Sequence, residues 1–312
     1  MKQYIALLLL LLVTIVFSLT TGSVSIPIQE LFSEKYHTII FEIRIPRMVN
    51  AITVGALLSV SGLMIQNLVK NPLADPYILG VSGASAMVQL LLIAFGIVLP
   101  FSLFMLTGFM VTLLALLLLL LISSKKSLNS TNLLLSGVVL AFAYSAIISL
   151  ILTLSPTATT KPILFWLMGD LGYSSFSLFP IIALVIGSLS IFRYHKELDL
   201  LARGEFFALK CGVNVRKTNL VLLVSASLFT AVAVSLAGTI GFVGLVIPHI
   251  SRLIFGNKHA KLIPASIILG ATLVLLADTL SRWLFAPTQL PVGIFTALFG
   301  VPVFLYLLRK NS

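Results

Sequence analysis

Charge is scarce in this chain. Only 9% of its 312 residues are Asp, Glu, Lys or Arg, while 59% are hydrophobic; soluble domains run at about 25% charged and about 45–50% apolar. A soluble core could not hide so much apolar surface, so lipid must be the solvent for most of it. Cysteine is nearly absent too. The single Cys211 excludes an intrachain disulfide and a cysteine cage for zinc or an iron–sulfur cluster. Acids are outnumbered, nine against twenty Lys and Arg, for a net charge of +11. No basic stripe interleaved with aromatics accompanies that excess, so nucleic acid is not the expected partner.

Catalytic signatures are missing as well. There is no G-x-x-x-x-G-K-[ST] loop to cradle nucleotide phosphates, and GNKHAK from Gly256 is not one. No H-E-x-x-H helix or G-x-S-x-G elbow occurs. His37, His195, His249 and His259 lie far apart in or next to loops, so no metal site is expected. The chain reads as a non-enzyme. The acids avoid the middles of the apolar runs: Asp170 lies in the Trp166–Gly172 turn region, and Asp278 within a turn or so of a helix end. An ion-coupled secondary transporter acting without an ATPase is the alternative reading. It normally keeps a carboxylate inside the membrane, because that costly group carries the proton or ion. Without one, the energy is expected from a partner ATPase.

What is present is a series of apolar runs near the length of about 20 residues that a spanning helix needs. Ten of them lie at about 5–21, 46–68, 79–97, 103–122, 132–153, 176–193, 217–236, 240–257, 262–282 and 292–308. The third opens with small residues and the eighth carries Gly241, Gly244 and Pro248, so both are candidates for broken or re-entrant helices. The run after Lys2 reads as an uncleaved first helix rather than a secretory signal, since many spans follow. With a cytoplasmic N-terminus, Lys35, Arg44, Arg47, Lys161 and Arg282 fall outside and the other fifteen of the twenty Lys and Arg inside. That bias puts both termini in the cytoplasm. The outer segment 22–45 and the inner segment 194–217 are the two polar pieces, the latter suited to one or two short surface helices. The expectation is one transmembrane domain over 1–312. GALLSVSGLMIQ from Gly55 and SLAGTIGFVGLVIP from Ser235 share a Gly-rich texture and hint at two inverted halves.

Longer motifs sharpen this. RIPRMVNAITVGALLSVSGLMIQNLVKNPLADPYILGVSGASA from Arg44, AGTIGFVGLVIPHISR from Ala237, and ADTLSRW followed by QLPVGIFTALFGVPVFLYLLRK run in order along the chain. WLMGDLGY from Trp166 and GEFFALKCGVNV from Gly204 join them. Together they closely resemble the signature of the iron-chelate and vitamin B12 importer permeases, the FecCD or BtuC-like family. Gln289 stands where that family often has an acid. The resemblance implies an all-α polytopic fold of ten helices, as in type II ATP-binding-cassette importers. It also implies a second permease copy, identical or paralogous, two cytoplasmic ATPase subunits carrying ATP and Mg2+, and an external substrate-binding protein. No cofactor is expected on this chain. The setting would be the bacterial cytoplasmic membrane, and the cargo an iron chelate, with a ferric siderophore ahead of haem or cobalamin.

Candidate residues follow. Arg44, Arg47 and Arg282 are few cations on an otherwise sparse outer surface, and arginine's planar fork matches carboxylates. The resemblance gives them docking of the binding protein; anchoring helix ends at the headgroups is the alternative. Pro46 is placed to start a helix. The pattern of Gly204, Glu205, Ala208, Leu209 and Gly212 is the candidate coupling contact to the ATPase. Asn71, Pro72, Asp75 and Pro76 force a turn that is either structural or a gate. Gly238, Gly241 and Gly244 suit close packing or a broken helix, and Pro248 with His249 is expected to bend and end that helix. Gly137, Ala141, Ser145 and Ser149 form a small stripe that fits a pore wall or helix packing equally.

Overall fold

The computed structural model describes residues 2–123, 130–172 and 175–311. Lys125 and Lys126 of the inner count, and Tyr173 of the WLMGDLGY block, lie outside them. Among the described residues the chain is helical, and each of the ten apolar runs holds a helix. Six are long and apolar enough to cross a membrane: α1 (Lys2–Thr20), α2 (Ile45–Val69, continued backwards by a wide turn over Ile39–Arg44), α4 (Phe101–Ser123), α5 (Ser130–Leu154), α10 (Val215–Ala237) and α12 (His259–Trp283). α7 (Leu178–Phe192) meets α8 (His195–Leu201) at a 61° bend.

The two runs expected to be broken are short: α3 (Val81–Ala94) and α11 (Val243–Phe255). Gly80 at φ 69° precedes α3, and Phe242 at φ 68° and Gly256 at φ 74° bracket α11. Left-handed backbone cannot continue a right-handed helix. α13 (Val292–Asn311) closes the chain. Two short helices, α8 and α9 (Glu205–Lys210), fill the inner polar segment as expected. α6 (Thr157–Leu167) is an addition that the hydropathy pattern did not reveal, being short and interrupted by Pro162.

The order long, short, long, long occurs twice, in α2–α5 with 25, 14, 23 and 25 residues and in α10–α13 with 23, 13, 25 and 20. The Gly-rich texture noted in sequence falls inside the long helix α2 in the first half, and on the end of α10 with the break before α11 in the second. α2 is the core. Of its apolar window 83% is buried, against 11% for α5, whose exposed Leu135, Phe142 and Leu154 are suited to lipid or another subunit.

α10, α11 and α12 pack around α2. Glycine allows backbone contact at two crossings. A Cβ on Gly55 would sit 2.1 Å from the Gly270 carbonyl oxygen, and one on Gly62 would sit 1.9 Å from that of Gly244. α2 and α12 run antiparallel, with Arg47 against Asp278 at one end and Asn67 against His259 at the other. A 25-residue helix is about 37 Å long, so these are two distinct ends.

Candidate functional site

At the first end, the fold gathers the three arginines expected to face outward, but it points their donors inward. Arg44 donates to the carbonyl oxygens of Leu19 and Val24, closing the turn after α1. Arg47 donates from Nε to Asp278 Oδ1 at 2.8 Å and from Nη1 to Gln289 Oε1 at 2.9 Å. Arg282 Nε lies 3.1 Å from Asp278 Oδ2, and its Nη2 donates to Ser18 Oγ at 3.0 Å. Arg44, Arg47 and Arg282 are each about 5% exposed and Asp278 is fully buried. A Cβ on Gly22 would lie 3.3 Å from both Arg282 Nη1 and Arg44 Nη2, so these two crowd beneath one turn. Three guanidinium groups face the buried Asp278, and Asp170 lies beside Arg47 across Gly172, so cations outnumber carboxylates here by one. Pro46 sits in the first turn of α2, as the sequence suggested.

The other end carries α8 and α9. Gly204 at φ 117° and Gly212 at φ 82° bound α9, positions where only glycine is unstrained. Ala208 is buried against α8 and α10, while Phe206 and Leu209 are 71% and 57% exposed. Glu205 meets Lys70 Nζ at 3.1 Å, linking α9 to the left-handed cap of α2. α8 is tied more tightly. Asp199 Oδ1 accepts from the His259 backbone N–H at 2.8 Å and from its Nδ1 at 2.7 Å. His259 Nε2 faces the Asn67 amide nitrogen at 3.0 Å. Both partners select one tautomer, a neutral ring with the proton on Nδ1, because the Asn67 amide can only donate. Arg252 Nη1 donates to Gln66 Oε1 at 2.6 Å.

Between α2 and α3 the NPLADP turn is held by its own side chains. Asn71 Oδ1 accepts from Leu73 N and Asp75 Oδ1 from Tyr77 N, each at 2.9 Å. These Asx turns replace helix hydrogen bonds that the prolines deny. Asn71 and Pro72 are exposed, Pro76 is buried. Burial lifts the Asp75 carboxyl to about 6, only partly opposed by the Tyr77 N–H bond. Burial, and then the nearby Asp75, push the Tyr77 phenol well above its ordinary range. Tyr77 Oη both accepts from Ile240 N at 3.0 Å and donates to Ile240 O at 3.2 Å. The break in one half thereby clasps the break in the other.

Contrary to the expectation from sequence, Pro248 and His249 do not end α11, which continues to Phe255. The proline leaves the Gly244 carbonyl without its usual partner, and Gln66 Nε2 supplies a donor at 3.2 Å, so the helix passes through. The glycine triplet divides: Gly238 abuts the Trp166 carbonyl and Gly244 abuts Pro76, whereas Gly241 has open space around it. The stripe on α5 divides too. Gly137 and Ala141 pack on Gly80, but Ser145 and Ser149 are exposed, with Ser149 Oγ donating to Ser145 O at 2.9 Å.

Sequence reasoning missed Asp278 as the shared counter-ion, and missed Asn67, Asp199 and His259 as one chain of contacts. Apart from Arg282, four residues from Asp278 on one helix, these partners lie from 60 to 231 residues apart, and no local spacing announces such distant pairs. The one available clue was Asp278 itself, an acid inside an apolar run four residues before an arginine.

Comparison with known proteins agrees with this architecture. A model of the FecCD transport family matches residues 10–310. The Bacillus subtilis ABC transporter permease protein YvrB is 38% identical over 96% of this chain and 92% of its own length. The vitamin B12 import permease BtuC of Klebsiella pneumoniae is 35% identical over 97% and 92%, and the hemin permease HmuU of Yersinia pestis 34% over 98% and 94%. A solved inward-facing metal-chelate type ABC transporter superposes with a TM-score of 0.89 at 36% identity, covering 99% of both chains. PsaBC from Streptococcus pneumoniae, at 18% identity and a TM-score of 0.59, shares the fold alone. Ten apolar helices, two repeated halves and a match over nearly the whole length lead to one assignment: this chain is a multi-pass membrane protein of the FecCD transport family, an ABC importer permease.

Proposed function

We propose that this permease imports an iron chelate, a ferric siderophore before haem or cobalamin, across the bacterial cytoplasmic membrane with both termini in the cytoplasm. Two copies, identical or paralogous, would enclose the pathway. Two ATPase subunits with ATP and Mg2+ would drive it from the α8–α9 side, and a binding protein would deliver cargo at the arginine end. The observation that carries this reading is α9. Phe206 and Leu209 project apolar side chains from a short helix in a charged segment, and an exposed apolar patch rimmed by charge marks a protein contact. Its ion pair to Lys70 and the Asp199–His259–Asn67 contacts give a push on α9 and α8 a route into α2 and α12.

The arginine end supports docking by its charge more than by free donors. The excess of guanidinium groups over carboxylates attracts acidic lobes, while Arg44, Arg47 and Arg282 are committed to internal partners. The hydrogen bonds expected to a docked protein would require these to rearrange. Ser145 and Ser149, on the exposed face of α5, remain candidate pathway residues once a second copy covers them. Relatives named for vitamin B12 and hemin, and a Helicobacter pylori relative named for iron chelatin at 37% identity, support a large chelate as cargo.

Proteoliposomes test this. The chain reconstituted with its ATPase and binding protein is expected to accumulate labelled ferric siderophore only with ATP inside the compartment facing the ATPase. Phe206→Asp with Leu209→Asp is expected to abolish uptake while leaving the permease folded. Uptake by the chain alone under an ion gradient would support the secondary-transporter reading instead. The only fully buried carboxylate among the described residues, Asp278, speaks against that outcome because two guanidinium groups hold it.

A further inference from the structure

A cavity of about 560 Å³ opens where the end of α2, the end of α8 and the α11–α12 connection meet. Four cations line it: Lys70, Arg203, Arg252 and Lys258. Asp199 is the one acid on its wall, and it already accepts two hydrogen bonds from His259. Glu205 neutralises Lys70. His259 adds no charge, because Asn67 donates to its Nε2. Arg252, Arg203 and Lys258 have no carboxylate partner among the described residues.

Arg252 is the informative one. It is half-buried, and its recorded hydrogen bond goes to a neutral amide, Gln66. A cation withdrawn from water is normally paired, since desolvation without a counter-charge is costly. The cavity also lies at the N-terminus of α12, where the Asp199 carboxylate already answers the helix dipole, so the case for a further anion rests on the unpaired cations. Amide groups of Asn67 and Asn257 complete the wall.

We infer that this cavity binds a phosphate group, carried either by an anionic lipid headgroup or by a free phosphate. Tetrahedral oxygens suit the forked donors of Arg252 and Arg203 together with the point charge of Lys258. The end of the helix bundle is also the depth at which phospholipid phosphates lie, and basic pockets between membrane helices hold such headgroups. The inference stands on the charge and shape of the cavity and is independent of the cargo.

Its test uses the full chain, purified and delipidated in neutral detergent. Thermal melting is followed during titration with phosphatidylglycerol, phosphatidylcholine or inorganic phosphate. Phosphatidylglycerol, inorganic phosphate or both are expected to raise the melting temperature, and phosphatidylcholine is not. Arg252→Gln is expected to weaken that binding roughly tenfold and the exposed Lys258→Gln about fivefold, with Lys35→Gln at the far end unchanged. A response to phosphatidylglycerol alone assigns the site to lipid; a response to inorganic phosphate assigns it to a soluble anion. No response from either, an equal response to phosphatidylcholine, or wild-type binding by Lys258→Gln would overturn the proposal. Lys258→Gln decides the matter if Arg252→Gln fails to fold.

Discussion

The two ends of the α2–α12 pair use charge in opposite ways. At the arginine end, Asp278 is fully buried and held by Arg47 and Arg282, which are themselves nearly inaccessible. At the α8–α9 end, the Lys70–Glu205 pair leaves both side chains over 40% exposed, and cations outnumber their partners. One end is a closed knot and the other is an open, charged surface. Such a knot resists rearrangement, because each member would otherwise be stranded in low dielectric. The open end can exchange partners at little cost. An importer permease needs both: a fixed frame and a face on which a motor can push.

Asp278→Ala is the sharpest way to break the contrast. It strands two guanidinium groups and is expected to cost about 3–5 kcal/mol, seen as the largest fall in melting temperature among single substitutions in charged pairs. A fall no greater than that of Glu205→Ala would show that the ends do not differ. Next comes His259→Ala, which removes contacts to both Asp199 and Asn67 and should cost about 1–3 kcal/mol. In the reconstituted transporter it should also lower transport per ATP hydrolysed. Unchanged stoichiometry would detach the α8–α12 contact from coupling.

Asp75 gives a smaller effect, and one that depends on pH. Its carboxyl is raised from 3.8 to about 6 in the folded chain. Below about pH 4 both folded and unfolded chains hold the proton, so it contributes nothing there. As pH rises from about 4 to about 6 the unfolded chain ionises more readily, so stability falls and then levels off. Asp75→Asn keeps an acceptor for Tyr77 N and should remove that decline, leaving the variant more stable than wild type at pH 7. Melting curves from pH 4 to 8 check this, and parallel curves for the two proteins would refute it. Smallest of all, Glu205→Ala should cost no more than about 1 kcal/mol and lose even that in high salt, since its pair is exposed.

Much of the fold was legible because lipid imposes length and polarity on each segment. All ten apolar runs hold helices, and the breaks at Gly80 and Phe242 fall in the two runs whose glycines and small residues had marked them as irregular. α6 escaped because eleven residues around Pro162 carry no spanning signal. The site was legible only in part. The pattern around Gly204 and Gly212 marked the right segment, and both glycines bound α9 at positive φ, since backbone conformation leaves a residue-level trace. The burial of Arg44 and Arg47 left none, for it depends on distant partners, the Leu19 and Val24 carbonyls for Arg44 and Asp278 with Gln289 for Arg47. Arg282, by contrast, had Asp278 four residues away on its own helix. Pro248 misled for a similar reason: whether a proline ends a helix depends on who serves the orphaned carbonyl, and Gln66 comes from another helix.

At Gly55 with Gly270, and at Gly62 with Gly244, neighbouring backbones touch with no side chain between them. Rotamer changes can absorb a small displacement where side chains form the cushion, but bare backbone offers none. α2 and its neighbours are therefore geared together along their length. A tilt begun beside Asn67 has no slack in which to fade, and Arg47 must swing with it like the far arm of a balance beam.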